Sequence, residues 1–570
     1  MSNKLYRFFE MIPGLLAWIT IILMFILSWL TPTAVAIFII LFDIYWLFKT
    51  IYLSFHLRAT FSKMRENLKV NWLEKLNQLE RHLASKKSVS EAERAWFPSE
   101  ARESEAESQG ANDSLGRETP SFREARWSDI YHLVILPMYK EPYEVIRESF
   151  EALTKVNYPL DKLIVVLATE ERAGQSAQEI AQKIEKEFGD KFFRFLITVH
   201  PANIEGELPG KGSNETWAAK QAKRLIIDPL INTQMNTDKN TDKHRLKNIR
   251  VNQFSYPRES VSYENILVSV FDADTQVLPD YLARLTYAFL TCEKPQRSSF
   301  QPIPLFTNNI FQTPALARVI AFSSTFWHMI QQSRPERQTT FSSHSMPFKA
   351  LVEIGFWNTN IVSEDSQIFW QCYLHYDGDW RVVPLFYPVS MDANVAPTFW
   401  QTMINQYKQQ RRWGWGCENI PYMLEGFRKN KKIPLRKKIY WSFVIIESFH
   451  SWATNALIIF ALGWLPVVLG GTNFNFTLLS YNLPQITRWI MTLAMVGIVT
   501  SAVLGIILLP PKPNWFKKRH YLLYFFQWLL MPITLIIFGA FPGLEAQTRL
   551  MLGGKFRLGF WFTPKHRNRS

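Results

Sequence analysis

Two apolar stretches near the start of the chain constrain its fold more than any other feature. Residues 11–30 carry no charge and are about twenty residues long, which is enough to cross a bilayer as a helix. A second stretch, 34–55, follows after a short Thr-Pro-Thr break. The first is too long for a cleaved signal peptide, and no small-residue cleavage site follows it. The sequence therefore predicts a transmembrane hairpin.

Three more apolar stretches, at about 440–469, 485–510 and 521–541, lie near the other end. Lys4 and Arg7 precede the first span, and basic residues fill 510–520 between the last two stretches. The positive-inside rule places these segments, and the long polar section between the two groups of spans, in the cytoplasm. We therefore expect an integral, multi-pass protein of the plasma (inner) membrane, in contact with membrane lipids.

The C-terminal residues conflict with a simple count of spans. Five full crossings that start inside would leave 542–570 outside, yet this segment is basic, and the positive-inside rule assigns it to the cytoplasm. The stretch 521–541 is interrupted by Pro532 and Gly539, and it can re-enter without crossing if protein covers its backbone. We predict a cytoplasmic tail.

Composition narrows the class of partner only in part. Lys and Arg number 64 against 49 Asp and Glu, a formal charge of +15 that suits nucleic acid, anionic lipid or a phosphorylated substrate. The three cysteines, Cys292, Cys372 and Cys417, are far apart, and this spacing predicts neither a disulfide framework nor a zinc site.

The middle section shows an α/β pattern. Apolar runs rich in β-branched residues occur at 131–137, 162–168, 192–199 and 265–271, with helix-like stretches between the first three. This alternation predicts a mainly parallel sheet covered on both faces, and ligands of such sheets bind outside the carboxyl ends of the strands.

Acidic residues follow three of these runs. Asp272 and Asp274 come after the fourth, and in an extended segment their side chains point to the same side, where they would share Mg²⁺ or Mn²⁺. A solvated turn is the alternative. Glu141 follows the first run, and Glu170 and Glu171 follow the second; these acids can instead cap the next helix.

Two other motifs carry charge at helix starts. Lys211 stands between glycines and forms an incomplete P-loop pattern, which is still suited to an anion at a helix N-terminus; a plain loop-to-helix junction is the alternative. Glu364 and Asp365 lie in an apolar setting, where a carboxylate can serve as general base. A helix N-cap explains them equally well.

The sequence "QQRRW" gives Gln409, Gln410, Arg411, Arg412 and Trp413 on a predicted helix. Arginine forks match phosphate oxygens, and tryptophan offers a flat face to a sugar or base. A membrane-surface helix is the alternative. The section has neither a nucleic-acid recognition fold nor a broad cationic groove, so we do not expect nucleic acid as a partner.

The order of these motifs between transmembrane groups resembles the membrane-embedded family 2 glycosyltransferases, which include cellulose and hyaluronan synthases. The resemblance covers roughly 128–430, and "QQRRW" fits the family's Q-(Q/R)-x-R-W pattern at every position. It implies a GT-A fold, a nucleotide-sugar donor (usually a UDP-sugar), a divalent cation and inversion at the anomeric carbon. The second strand departs from the family by ending in "TEERAG" rather than an Asp-Asp-Gly type sequence.

Roles follow from the resemblance for each motif. Asp272 and Asp274 would hold metal and diphosphate, and Asp365, beside Glu364, would take the proton of the acceptor hydroxyl. The remaining donor contacts would come from Glu141, Glu170, Glu171, Lys211, Gln409, Gln410, Arg411 and Arg412. Trp413 would bound the terminal sugar of the acceptor.

We therefore predict an inverting hexosyltransferase that moves a sugar from a nucleotide-sugar to a growing polysaccharide. Two alternatives stay open: transfer of one sugar to a lipid acceptor, and a catalytically inactive membrane scaffold. The predicted organisation is a transmembrane hairpin (1–56), an amphipathic helix (57–84), a disordered linker (85–127), a GT-A domain (128–398), interfacial helices with the QQRRW motif (399–437), a C-terminal transmembrane region (438–541) and a basic tail (542–570).

Overall fold

Long apolar helices begin the chain in the computed structural model, which describes residues 2–83, 126–235, 250–251 and 261–567. Helix α1 (Ser2–Leu30) and helix α2 (Pro32–Asn67) form the predicted hairpin. Helix α2 continues well past the apolar stretch, and a separate helix α3 (72–83) follows a short turn, so the segment predicted as one amphipathic helix is divided. The predicted linker 85–127 lies almost wholly outside the described residues.

The sheet of the middle section is built on strands that are buried on both faces. Every residue of the strands that begin at Tyr131, Leu163 and Ile266 is buried. The nine described strands are β1 (Tyr131–Pro137), β2 (Leu163–Glu170), β3 (Arg194–His200), β4 (Arg250–Val251), β5 (Ile266–Val270), β6 (Gln276–Val277), β7 (Ser298–Leu305), β8 (Ser345–Pro347) and β9 (Arg381–Ser390).

The strand order is β4-β3-β2-β1-β5-β8-β7-β9-β6. The long pairings, β1 with β2 and β5, β2 with β3, and β7 with β9, are parallel, and the short pairings are antiparallel. The predicted mainly parallel α/β domain, set between apolar helices, is confirmed.

Side chains alternate between two apolar layers, one on each side of the sheet, because successive residues of a strand point to opposite faces. Ile135 and Val166 belong to one layer, and Val134 and Val165 belong to the other. The helices that cover the faces are α4 (Tyr143–Thr154), α5 (Gln175–Phe188), α6 (Lys211–Ala222), α7 (Asp228–Met235), α8 (Tyr281–Thr291), α9 (Ala315–Gln332), α10 (Phe348–Glu353) and α11 (Glu364–His375).

The register of the central strands brings their carboxyl ends to one edge. Pro137 pairs with Ala168 across β1 and β2, and Ile135 pairs with Val270 across β1 and β5. The acids that follow these strands are therefore at the same edge of the sheet, where ligands of such sheets bind.

Helices after the sheet return the chain to apolar surroundings. They are α12 (Phe399–Gly414), α13 (Asn419–Lys429), α14 (Leu435–Phe460), α15 (Leu465–Leu469), α16 (Gly471–Asn475), α17 (Leu478–Ala494), α18 (Val496–Ile507), α19 (Lys518–Phe526), α20 (Met531–Leu535) and α21 (Phe541–Leu552). Five helical stretches among the described residues are long and apolar enough to cross a membrane: Lys4–Leu30, Pro32–Asn67, Leu435–Phe460, Leu478–Ile507 and Lys518–Leu552.

The last of these stretches is an irregular but continuous helix, and both of its ends lie against the middle section. Near its start, the guanidinium of Arg318 lies 4.0 Å from the ring centre of Tyr524. Near its end, Glu545 pairs with Arg411 of α12 at 2.7 Å. The helix continues between these contacts through a π-helical segment at Ile536–Ala540.

Candidate functional site

Lys211 is the point at which three separately predicted motifs meet. Its ammonium lies at the start of α6, 2.9 Å from Asp272 Oδ1 after β5 and 2.8 Å from Asp365 Oδ2 at the start of α11. Glu215, one helical turn along α6, is 3.4 Å away, and Glu364 is 4.0 Å away. The structure therefore brings Lys211, the first acid of the D-x-D (Asp272) and the predicted base (Asp365) into one cluster.

Four carboxylates around one ammonium cannot all be ionised at low cost in a buried site. Burial, reinforced by the neighbouring Asp365, raises the pKa of Glu364 to about 8. Burial also raises the pKa of Glu215 well above its usual range. Desolvation opposes ionisation of Asp272 as well, but Lys211 outweighs it and holds the pKa of Asp272 below its ordinary value. The raised pKa values favour the protonated forms of the two glutamates near neutral pH, whereas the lowered pKa of Asp272 favours its anionic form.

The D-x-D is a tight turn in the structure rather than an extended segment, because the Thr275 N–H donates to Asp272 O at 2.9 Å. Asp272 also accepts a hydrogen bond from Ser342 at 2.7 Å. Asp274 is fully buried and accepts from the Asp392 N–H at 2.8 Å and from the Lys565 ammonium at 2.6 Å. One ammonium thus faces each acid of the motif.

The residues fit a divalent cation. Both acids offer oxygen ligands, which Mg²⁺ and Mn²⁺ prefer, and Asp274 Oδ1 is buried without a hydrogen-bond partner among the described residues. The oxygens of Glu215, Glu364 and Asp365 also lie within 4.8 Å of one another, although the Lys211 ammonium is bound among them. Asp272 and Asp274 are therefore the better candidates.

The acids after β1 and β2 are engaged in different ways. Glu141 accepts the Tyr139 N–H at 2.7 Å, and burial raises its pKa to about 7. Glu170 pairs with Arg172, and Glu171 accepts the Ala202 N–H at 2.8 Å. Lys565 and Asp274 lie close enough to Glu141 for their charges to affect its pKa. The predicted donor contacts of Glu170 and Glu171 stay predictions.

The QQRRW residues on α12 divide between two sides of the helix. Gln409 Oε1 accepts from Asn394 at 3.4 Å and from Gln406 at 3.3 Å. Gln410 Nε2 and Arg412 Nε are buried with no hydrogen-bond partner among the described residues. Arg412 is also near enough to Glu364 to influence its pKa. Arg411 points elsewhere, to Glu545, so its role as a donor contact is still untested.

Trp413 is at the edge of a small cavity beside this site. Its ring centre is 6.2 Å from that of Phe306. The cavity is also lined by Gln406, Gln409 and Asp392, whose backbone N–H bonds to the D-x-D. The cavity volume is about 10 Å³, room for about one water molecule, so the acceptor role of Trp413 stays a prediction.

The C-terminal segment enters the same site, and the sequence interpretation missed this. Besides Lys565 on Asp274, Arg567 pairs with Asp392 at 2.6 Å and with Glu148. Phe560 packs on Gly210, and Phe562 lies 5.4 Å from Tyr139, ring centre to ring centre. The sequence signal for this contact is the basic run 555–570, which contains no acid and which the sequence analysis uses only to predict topology.

Part of the chain matches a known protein family, and the chain is similar to solved structures. Residues 267–541 match the sequence profile of the family described as "Glycosyl transferase family group 2". No curated protein matches the chain. Among solved structures, a mannosyltransferase from Pyrobaculum calidifontis, in complex with GDP-Man and Mn²⁺, is similar at 14% identity and a TM-score of 0.36, covering 66% of this chain and 86% of that one. S. aureus TarS 1–349, in complex with UDP-GlcNAc, is similar at 11% identity and a TM-score of 0.32, covering 66% and 90%.

Proposed function

Residues 267–541 belong to glycosyl transferase family group 2, and on that premise we propose that the chain is an inverting enzyme. It moves a sugar from a nucleotide-sugar, a UDP-sugar in our proposal, to a growing polysaccharide at the cytoplasmic face of the inner membrane. The observation that carries this proposal is the meeting of Lys211, Asp272 and Asp365 at the carboxyl edge of the sheet.

The donor's diphosphate is the leaving group, so the site must neutralise negative charge as the bond to the anomeric carbon breaks. Lys211 and Lys565 flank the D-x-D with two ammonium groups. The Nε–H group of Arg412 is buried and has no hydrogen-bond partner among the described residues. A divalent cation held by Asp272 and Asp274 would supply further electrostatic stabilisation of the diphosphate.

The acceptor hydroxyl attacks the anomeric carbon from the side opposite the diphosphate, and its proton passes to Asp365. The new glycosidic bond, the released nucleoside diphosphate and the protonated Asp365 account for all atoms and charges. Glu364 is suited to carry a proton rather than accept one near neutral pH, because its pKa is raised to about 8 by burial. We therefore assign the base role to Asp365, with Glu364 as its neighbour.

Radiolabelled donors test this proposal. The purified protein is incubated with a series of UDP- and GDP-sugars, and the products are separated by size. Long polymer supports the proposal, whereas one glycolipid per acceptor favours transfer to lipid. If only intact donor is recovered under conditions where the protein stays folded, the scaffold alternative is correct. The matched control is Asp379→Asn, which alters an exposed acid paired with Lys294 on the same domain.

Replacing Trp413 by alanine and replacing Arg412 by alanine are expected to affect different kinetic and binding constants. Loss of the flat indole face is expected to raise the acceptor KM while donor affinity stays close to that of the parent. Loss of the Arg412 fork is expected to lower both transfer and diphosphate affinity. Donor binding is measured by titration of UDP, and acceptor KM by initial rates with a soluble oligosaccharide. If both variants only weaken membrane association, α12 is a surface helix and no more.

The tail is expected in the cytoplasm. Support comes from its contacts with the sheet domain and from Arg7 at the start of α1, which donates to Leu550 O at 2.8 Å near the end of α21. We infer that the stretch 518–552 re-enters rather than crosses. In a variant free of other cysteines, Ser570→Cys is expected to react with an impermeant maleimide only after lysis. Thr472→Cys is the control: position 472 lies between the apolar stretches 440–469 and 485–510, on the side of the membrane opposite to 510–520, and is expected to react on intact cells. Labelling of position 570 before lysis would place the tail outside.

A further inference from the structure

A cavity separate from the donor edge lies between α1, α12 and α21. Its volume is about 420 Å³, within the usual range for small-molecule sites. It is lined by Trp18, Tyr407, Phe541, Leu544, Glu545, Thr548, Arg549 and Phe556. The lining therefore combines aromatic and aliphatic side chains with one acid and one base.

The cavity lies where apolar side chains are exposed on the protein surface. Trp18 is seven residues into the uncharged run that begins at Met11. Exposed large apolar residues continue on each of the three helices around it: Leu16 and Ile19 on α1, Trp400 and Ile404 on α12, and Phe541 on α21. In a membrane-inserted chain these surfaces contact lipid, so the cavity faces acyl chains and head groups rather than bulk water.

A charged wall closes the polar side of the cavity. Glu545 accepts hydrogen bonds from Tyr407 Oη at 2.9 Å, from Arg411 at 2.7 Å and from Arg549 Nε at 2.7 Å. Arg411 does not line the cavity itself, but it shares Glu545 with Arg549, so these three side chains together carry a net positive charge. Each guanidinium has five N–H groups, and the two arginine side chains remain 22% and 33% exposed.

We propose that this cavity binds an anionic phospholipid of the surrounding bilayer. The phosphate is held by Arg549, with the charge of Arg411 behind the shared Glu545, and one acyl chain lies along Trp18, Phe541 and Leu544. A net positive wall favours an anionic head group over a zwitterionic one, and arginine forks match phosphate oxygens. The inference rests on the apolar helices lying in a bilayer, and it does not depend on the sugar-transfer reaction.

Lipid retention tests the proposal without any donor. The full chain is purified in detergent from vesicles that contain phosphatidylglycerol and phosphatidylcholine, and bound lipid is measured by native mass spectrometry. We expect phosphatidylglycerol to be retained preferentially. Arg549→Gln is expected to reduce that preference about fivefold, as loss of one basic group near a membrane surface predicts. Leu544→Trp leaves the charges in place but fills the cavity, and it is expected to remove retention.

Arg519→Gln is the matched control, since Arg519 is exposed at the start of α19 and does not line the cavity. It is expected to retain phosphatidylglycerol as the parent does. Equal retention of the two lipids by the parent would overturn the proposal, and so would an equal loss in the Arg519 variant, which would indicate diffuse electrostatic attraction. Brominated phosphatidylglycerol gives a second readout: quenching of tryptophan fluorescence should fall in Trp18→Phe, and unchanged quenching would contradict the site. Displacement by soluble glycerol phosphate would show that a phosphate, and not a lipid, is the ligand.

Discussion

Asp365→Asn is expected to lower turnover by on the order of 10²-fold or more, the scale of losing a general base, while donor affinity stays close to that of the parent. The amide keeps the size of the carboxylate but cannot accept the proton of the acceptor hydroxyl. Lys211 retains its contact with Asp272 at 2.9 Å, so the donor side of the cluster keeps its ammonium. Turnover is measured with the radiolabelled donor that the parent accepts, and affinity by titration of UDP.

The comparison variant for this experiment is Glu364→Gln, next to Asp365 in sequence. Because burial raises the pKa of Glu364 to about 8, this side chain is already protonated at neutral pH, and the amide should change turnover less than Asp365→Asn does. Turnover of the Asp365 variant within a few-fold of the parent would exclude Asp365 as the base. If the Glu364 variant lost as much activity as Asp365→Asn, the two roles would have to be exchanged.

The fold could be predicted from the sequence because its central strands are buried on both faces and therefore stand out as apolar runs. The run 131–137 is buried at every position, and a strand covered on both faces must be apolar throughout. Boundaries near the membrane were less predictable. The second apolar stretch was expected to give way to a separate amphipathic helix at 57, but α2 continues to Asn67. Leu57 and Met64 are buried in this part of α2. Because the same apolar face continues past residue 57, helical periodicity does not indicate where the first helix ends.

The positions of the candidate residues at strand ends and helix starts could be predicted from the sequence, whereas their pairings could not. The D-x-D, Lys211 and Asp365 were each placed at a strand end or helix start, and a parallel sheet gathers such positions at one edge. Which cation faces which acid depends on distant parts of the chain. Lys565 meets Asp274 across nearly three hundred residues, and Arg411 is bound to Glu545 instead of the donor edge. Sequence spacing contains no information on such contacts, because tertiary packing alone brings them together.

Asp272→Ala and Asp274→Ala are each expected to abolish metal-dependent nucleotide binding. Each substitution removes an oxygen ligand of a hard cation and takes one carboxylate partner from an ammonium, that of Lys211 or of Lys565. The remaining ammonium can still attract phosphate. We therefore expect weak UDP binding to persist in both variants and to become insensitive to Mg²⁺ or Mn²⁺.

Titration calorimetry of UDP with Mg²⁺, with Mn²⁺ and with chelator, for the parent and both variants, measures this effect. Asp280→Ala, at the start of α8 and outside the cluster, is the control and should keep the metal dependence of the parent. The two variants should also differ from each other. Asp274 is fully buried and accepts a hydrogen bond from the Asp392 N–H. Replacing Asp274 leaves that donor without its carboxylate acceptor and should lower thermal stability. Asp272 is partly exposed, and replacing it should not lower thermal stability. Unchanged metal-dependent affinity in both variants would reduce the D-x-D to a structural turn. The candidate cation ligands would then be Glu215, Glu364 and Asp365, whose oxygens lie within 4.8 Å of one another.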